Sequence, residues 1–186
     1  MSSNIKYEVA LLYTVKMEKQ KYFVKAINNE LYEIQICECL TEPISLQGRL
    51  TRHRFPKTKG KQLFKTITSI YGKGLTLKNL LLHADTSAKA RESLISMCSG
   101  VGHKQSSMFL RNIGFGYDLA IIDTHILDYL RLVDVLPPDI NVKGRFEYST
   151  IEELYSEYAQ SRQFDIQKLD IAIWNIMKVY KTGLAL

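Results

Sequence analysis

Along most of the chain, apolar residues recur at the 3.6-residue interval of an amphipathic helix, not at the two-residue alternation of a strand. This periodicity predicts helices near residues 7–27, 29–41, 60–72, 75–83, 86–97, 104–113, 124–133, 150–161 and 166–181. The stretch 7–24 is rich in Tyr, Val and Phe and also fits a strand. The run Asp134 to Ser149 contains Pro137, Pro138 and Gly144 and reads as a connector. Thr150-Ile151-Glu152-Glu153 after it reads as a helix start, with Ser149 or Thr150 as cap and acids in the first turn.

At 186 residues, 46% of them hydrophobic and 24% charged, the chain suits one well-buried globular domain over 1–186. No run approaches eighteen consecutive apolar residues and the N-terminus lacks a signal-peptide pattern. The expectation is a soluble, cytoplasmic protein with no membrane partner. Cys37, Cys39 and Cys98 make neither an even disulfide framework nor a four-ligand metal site, so free thiols in a reducing compartment are expected.

Charge changes the picture more. The formal net charge is +6 and the pI near 9.1, a balance that suits an anionic partner. The excess is conspicuous from Arg49 to Lys61, where Arg49, Arg52, Arg54, Lys57, Lys59 and Lys61 occur with His53 and without an acid. A solvated loop would explain such a run. Phe55 lies inside it, however, and Pro56 biases that aromatic to an extended conformation. An aromatic among cations is the pattern of a surface that meets unstacked bases and phosphates together.

The densest chemistry lies at Ser99-Gly100-Val101-Gly102-His103-Lys104 and, further on, Ile121-Ile122-Asp123-Thr124-His125-Ile126. Gly100 and Gly102 let the chain turn sharply and approach a ligand closely. The backbone N–H groups of the helix that follows can hold a phosphate. A plain turn between helices is the competing reading. Lys104 falls in that helix's first turn, where the positive end of the helix dipole favours the neutral amine that a nucleophile requires. A solvated or phosphate-pairing lysine is the alternative. Asp123 reads as the N-cap of the next helix, which accounts for it fully unless it works with Lys104. His125 is either a proton shuttle or a structural histidine of the same turn.

Gly100-Val101-Gly102-His103-Lys104 with Asp123-Thr124-His125-Ile126 resembles the helix–hairpin–helix DNA glycosylase superfamily. The stretch from Lys104 to Gly114, leading into Ala120-Ile121-Ile122-Asp123, resembles its small archaeal-type 8-oxoguanine DNA glycosylase/lyases. Cys37 to Thr41, His53-Arg54-Phe55 and Leu169-Asp170 with Ile173-Trp174 extend the likeness over most of residues 30–178. It implies an all-α fold of two intertwined helical subdomains flanking a lesion cleft, with the hairpin near 98–105. It also implies a monomer that acts on damaged double-stranded DNA, associated with the nucleoid in a prokaryote.

The resemblance further implies roles. Lys104 is the Schiff-base nucleophile and Asp123 the carboxylate that activates it. Gly100, Gly102, His103, Arg52, Arg54 and Lys57 contact DNA, with Arg54 entering the duplex. Phe55, Asp170 and Trp174 form the base pocket. Without the family, Trp174 reads as a core tryptophan beside the stripe Ile166, Leu169, Ile173 and Met177. The reaction implied is base excision followed by AP-lyase β-elimination, with no metal in the chemistry. A monovalent cation at the hairpin is consistent with the superfamily. The C-terminal cysteine quartet of the endonuclease III branch is absent, so no iron–sulfur cluster is expected. The lesion-defining terminal lysine of the resembled group has no counterpart in the tail Lys178–Leu186. Excision of another damaged base, a non-catalytic helix–hairpin–helix module and a helical protein-interaction domain stay open as alternatives.

Overall fold

The computed structural model describes residues 5–23, 30–140, 142 and 144–183. All the expected helices are present among them, with displaced ends: α1 (Tyr7–Lys19), α2 (Glu30–Thr41), α3 (Pro56–Ile70), α4 (Leu77–Leu82), α5 (Ser87–Met97), α6 (His103–Asn112), α7 (Thr124–Leu132), α8 (Arg145–Ser161) and α9 (Ile166–Gly183). The strand reading of 7–24 gives way to α1, which ends at Lys19. Residues 24–27 of the expected first helix and 29 of the second lie outside the described residues. No helix among the described residues is long and apolar enough to cross a membrane.

The expected helical fold holds with one small addition, and two expected boundaries are corrected. The addition is an antiparallel hairpin of β1 (Ile44–Leu46) and β2 (Arg49–Thr51), paired as Ile44 with Thr51 and Leu46 with Arg49. Strands of three residues are too short to register as alternation. Their turn is made by Gln47 and Gly48, both at positive φ (51° and 77°), the conformation of the tight turns that match strand twist.

The basic run is not a loop throughout, because α3 starts at Pro56, four residues early. Proline suits the first helical position, whose N–H has no intrahelical partner and whose φ is already set. Lys57, Lys59 and Lys61 are therefore helical. The connector before α8 is also shorter than expected. Gly144 is the N-cap and Ser149 and Thr150 lie inside the helix, where Thr150 Oγ1 donates to Phe146 O (3.1 Å).

The chain divides into two compact units, Met1–His83 with Ser96–Gly100, and Ala84–Ile95 with Val101–Leu186. In the first, Val9, Tyr13 and Met17 of α1 pack with Tyr32, Ile36 and Leu40 of α2 and Ile67 of α3. Close approach of α2 and α3 requires Gly60, where a Cβ would lie 2.5 Å from Cys37 Sγ and 3.0 Å from its Cα. Cys39 and Cys98 are buried and Cys37 half-buried, all three as free thiols whose pKa burial pushes up.

In the second unit Ile122, Ile126 and Leu130 meet Ile151 and Tyr155 of α8 and Leu169, Ile173 and Met177 of α9. Two buried arginines tie its helices together. Arg91 of α5 forks onto Glu152 of α8 (2.7 and 2.6 Å), and Arg111 of α6 donates to Asp170 of α9. Paired so, each charge keeps a partner that compensates for lost hydration.

Candidate active site

The second unit carries a short segment outside any helix, Leu119–Ile122, running into Asp123. It belongs to no sheet, so its amides need other partners. Side chains supply them in succession. Ala120 N–H donates to Glu152 Oε1 (3.0 Å), Ile121 N–H to Asp170 Oδ2 (3.1 Å) and Ile122 N–H to Tyr148 Oη (3.2 Å). The Tyr148 hydroxyl donates in turn to Ala120 O (3.0 Å). The carboxylates that do this are those paired with Arg91 and Arg111. The approach to Asp123 is thus held by α8 and α9 through four hydrogen bonds.

Asp123 then caps α7 as expected. Its Oδ1 accepts from His125 N–H (2.8 Å) and Ile126 N–H (3.0 Å). With Oδ1 committed to the cap, Oδ2 faces Lys104 Nζ at 3.9 Å. Lys104 is the second residue of α6, whose N-cap Gly102 has no side chain to give; Gln105 Oε1 accepts the Gly102 N–H at 3.3 Å. The Lys104 side chain is 43% exposed and that of Asp123 14%. An amine open to an incoming atom therefore stands against a nearly buried, oriented carboxylate. That pair can pass a proton once the gap tightens around a substrate.

Beside Asp123 lies a cleft of about 160 Å³, walled by Ile121, Ile126, Ile171, Arg111, Asp170 and Trp174. Asp170 and Trp174 share a face of α9 as their spacing requires. Trp174 is not a core residue. It is 42% exposed, with the His125 ring edge-on at 6.0 Å and Lys178 Nζ 4.8 Å from its centroid. Asp170 is buried, which pushes its carboxyl pKa up. The nearby Tyr155 hydroxyl, the Arg111 guanidinium and the Ile121 amide draw it back without cancelling that effect.

Lys104, Asp123, Asp170 and Trp174 are thus gathered in one unit. Arg52, Arg54, Phe55 and Lys57 lie together in the other. There Phe55 is 41% exposed with the Arg54 guanidinium carbon 5.1 Å from its ring centroid. Gly100 sits at φ +75°, where a Cβ would meet the Gln62 side chain at 2.3 Å.

Both histidines of the expected DNA surface turn inward. The His103 ring stacks on Tyr148 (4.9 Å) with Nε2 3.5 Å from Glu92, leaving its backbone at the start of α6. His53 is buried against Tyr13, and its Nδ1 accepts the Phe55 N–H (3.1 Å). Burial holds the pKa of both imidazoles below the ordinary range. Sequence reading missed Arg91, Arg111, Tyr148 and Glu152, whose partners lie 16 to 61 positions away and follow no helical spacing. Among the described residues, no group of three or more His, Cys, Asp or Glu is placed to hold a metal ion.

The family model described as 8-oxoguanine DNA glycosylase matches residues 12–164. An 8-oxoguanine DNA glycosylase/AP lyase of Saccharolobus islandicus is 34% identical over 125 residues, which is 66% of this chain and 58% of that protein. The chain therefore spans somewhat over half the length of such curated relatives. The crystal structure of the Methanocaldococcus jannaschii 8-oxoguanine DNA glycosylase superposes with a TM-score of 0.67 at 23% identity, covering 94% of this chain and 72% of that one. That of Thermotoga maritima gives 0.63 at 26% identity, covering 93% and 73%. These likenesses establish the helix–hairpin–helix glycosylase fold, and with the match over most of its length the chain belongs to the 8-oxoguanine DNA glycosylase family.

Proposed function

We propose that this protein is a bifunctional DNA glycosylase/AP lyase that removes 8-oxoguanine from duplex DNA in base excision repair. The observation that carries this reading is the Lys104 amine 3.9 Å from the free oxygen of an N-capping Asp123, at the starts of two helices. Family membership supports it, as does the activity for which the relatives are named.

In this reading the damaged nucleotide leaves the stack, at a cost of roughly a few kcal/mol, and its base is received against Trp174, with Asp170 at the pocket wall. Asp123 takes the proton that Lys104 gives up as its amine attacks the sugar C1′. The C1′–N bond breaks and the base departs with the bonding electrons and a proton. The nitrogen lone pair then opens the sugar ring by breaking the C1′–O4′ bond, O4′ takes up a proton, and Lys104 is left joined to C1′ as a protonated Schiff base. Loss of a C2′ proton and of the 3′-phosphate by β-elimination cuts the strand. The backbone N–H groups at the start of α6 and the cations Arg52, Arg54 and Lys57 hold phosphates, and Gly100 and Gly102 allow the close approach. The protein acts as a monomer on nucleoid DNA, using its own amine and carboxylate for the chemistry.

The test is borohydride trapping on a duplex containing 8-oxoguanine. Wild type is expected to give a covalent adduct and Lys104→Gln none. Asp123→Asn keeps a good capping residue, so it should melt as wild type does while base release falls roughly 10²–10⁴-fold. No adduct with wild type, or an undiminished one with Lys104→Gln, overturns the mechanism. Faster release of an oxidised pyrimidine than of 8-oxoguanine overturns the substrate.

A further inference from the structure

Charge is distributed very unevenly along this chain. Between Pro43 and Ala84 lie nine of its 25 Lys and Arg residues and none of its 19 acids. Elsewhere sixteen basic residues face nineteen acidic ones, so the whole positive excess resides in this one stretch of the first unit. On α3 it takes a regular form. Lys57, Lys61 and Lys65 recur every four residues on one exposed face, away from the side of the helix where Gly60, Ile67 and Ile70 are buried. Like charges at that spacing repel one another, and none of the three makes an ion pair among the described residues. The repulsion is thus left uncompensated within the fold.

The three lysines also line a cavity of about 380 Å³ with Thr58, Gln62 and Ser99. Ser99 is fixed there by its N–H bond to Thr66 Oγ1 (3.0 Å), one residue before the positive-φ turn at Gly100. Lys57 and Lys65 are about 12 Å apart along the helix axis. Phosphates on one strand of a duplex advance roughly 3.4 Å each along the DNA axis, so the stripe spans three to four of them.

We propose that Lys57, Lys61 and Lys65, with Ser99 and Gln62 at their edge, form a track for the sugar–phosphate backbone of duplex DNA, a contact that holds the duplex without reading its sequence. The proposal rests on the DNA-directed reading above and extends it to a surface that takes no part in the chemistry.

The test measures binding to an undamaged duplex as a function of salt, so it needs no turnover. Each phosphate neutralised contributes about −0.9 to the slope of log K against log salt. The variant Lys57→Gln, Lys61→Gln, Lys65→Gln should therefore show a slope shallower by roughly 2.7. A control, Lys6→Gln, Lys19→Gln, Lys21→Gln, removes the same charge from exposed positions in and around α1 and should keep nearly the wild-type slope. Circular dichroism confirms that both variants are folded. An unchanged slope in that variant, or an equal loss in the control, overturns the track even if the protein excises 8-oxoguanine. A track with the predicted slopes stands even if wild type releases no base, in which case the catalytic reading fails alone.

Discussion

The two units treat their cations in opposite ways. In the second, Arg91 and Arg111 are buried and each closes onto one carboxylate, which in turn holds a backbone amide of the segment before Asp123. In the first, Lys57, Lys61 and Lys65 of α3 are exposed and left without acidic partners among the described residues. Identical charges therefore serve two purposes. Paired and dry, a cation fixes geometry; unpaired and wet, it contributes little to the fold and remains available to something outside it. Charge counting alone merges these roles, which is why a net +6 said so little.

The difference can be broken most severely at Arg91. Arg91→Ala strands Glu152 as a buried, unpaired carboxylate and should cost about 3–5 kcal/mol, read as a lower urea midpoint. A loss under about 1 kcal/mol would place Arg91 with the surface cations and dissolve the contrast.

A smaller effect should be common to both units, since each buries a histidine. Burial keeps His53 and His103 neutral in the folded protein, whereas unfolded each titrates near 6.5. Below that pH the unfolded chain binds more protons, so stability is full above about 6.5 and declines as the pH falls. Asp170, raised by burial, acts with the opposite sign, because there the folded protein takes up the proton before the unfolded chain does. Unfolding midpoints at pH 7.5 and 5.5 check this, and His53→Gln should lessen the difference. A midpoint unchanged between the two pH values would contradict the burial of both rings.

Smallest of all, the triple α3 lysine variant should change stability by no more than about 0.5 kcal/mol, and upward, because i,i+4 repulsion is relieved. Thermal melts at low salt show it best. Marked destabilisation would mean that those lysines hold the fold after all.

What was legible in the sequence follows from range. Asp123 as a cap, Lys104 in a first turn and Asp170 with Trp174 on one face depend on neighbours within four positions, and local spacing reveals those. The helix starts at Pro56 and Arg145 were placed late, because a basic or polar first turn carries no apolar period to detect. Trp174 was ambiguous because a pocket wall and a core stripe share the same 3.6-residue pattern, and only exposure separates them. The pairs Arg91–Glu152 and Arg111–Asp170 were invisible. Nothing local marks an arginine whose partner lies some sixty positions away, nor a tyrosine such as Tyr148 that serves as hydrogen-bond partner for a segment outside any helix or sheet.

The partners of that segment come late in the chain. Its amides are claimed by Tyr148, Glu152 and Asp170, all downstream of it in the chain. During synthesis, Lys104 and Asp123 leave the ribosome well before those three residues do. Until α8 and α9 have been made and docked, the carboxylate has no fixed address. A nascent chain that already contains both side chains should therefore lack the Lys104–Asp123 geometry, which arrives only once α8 and α9 are in place.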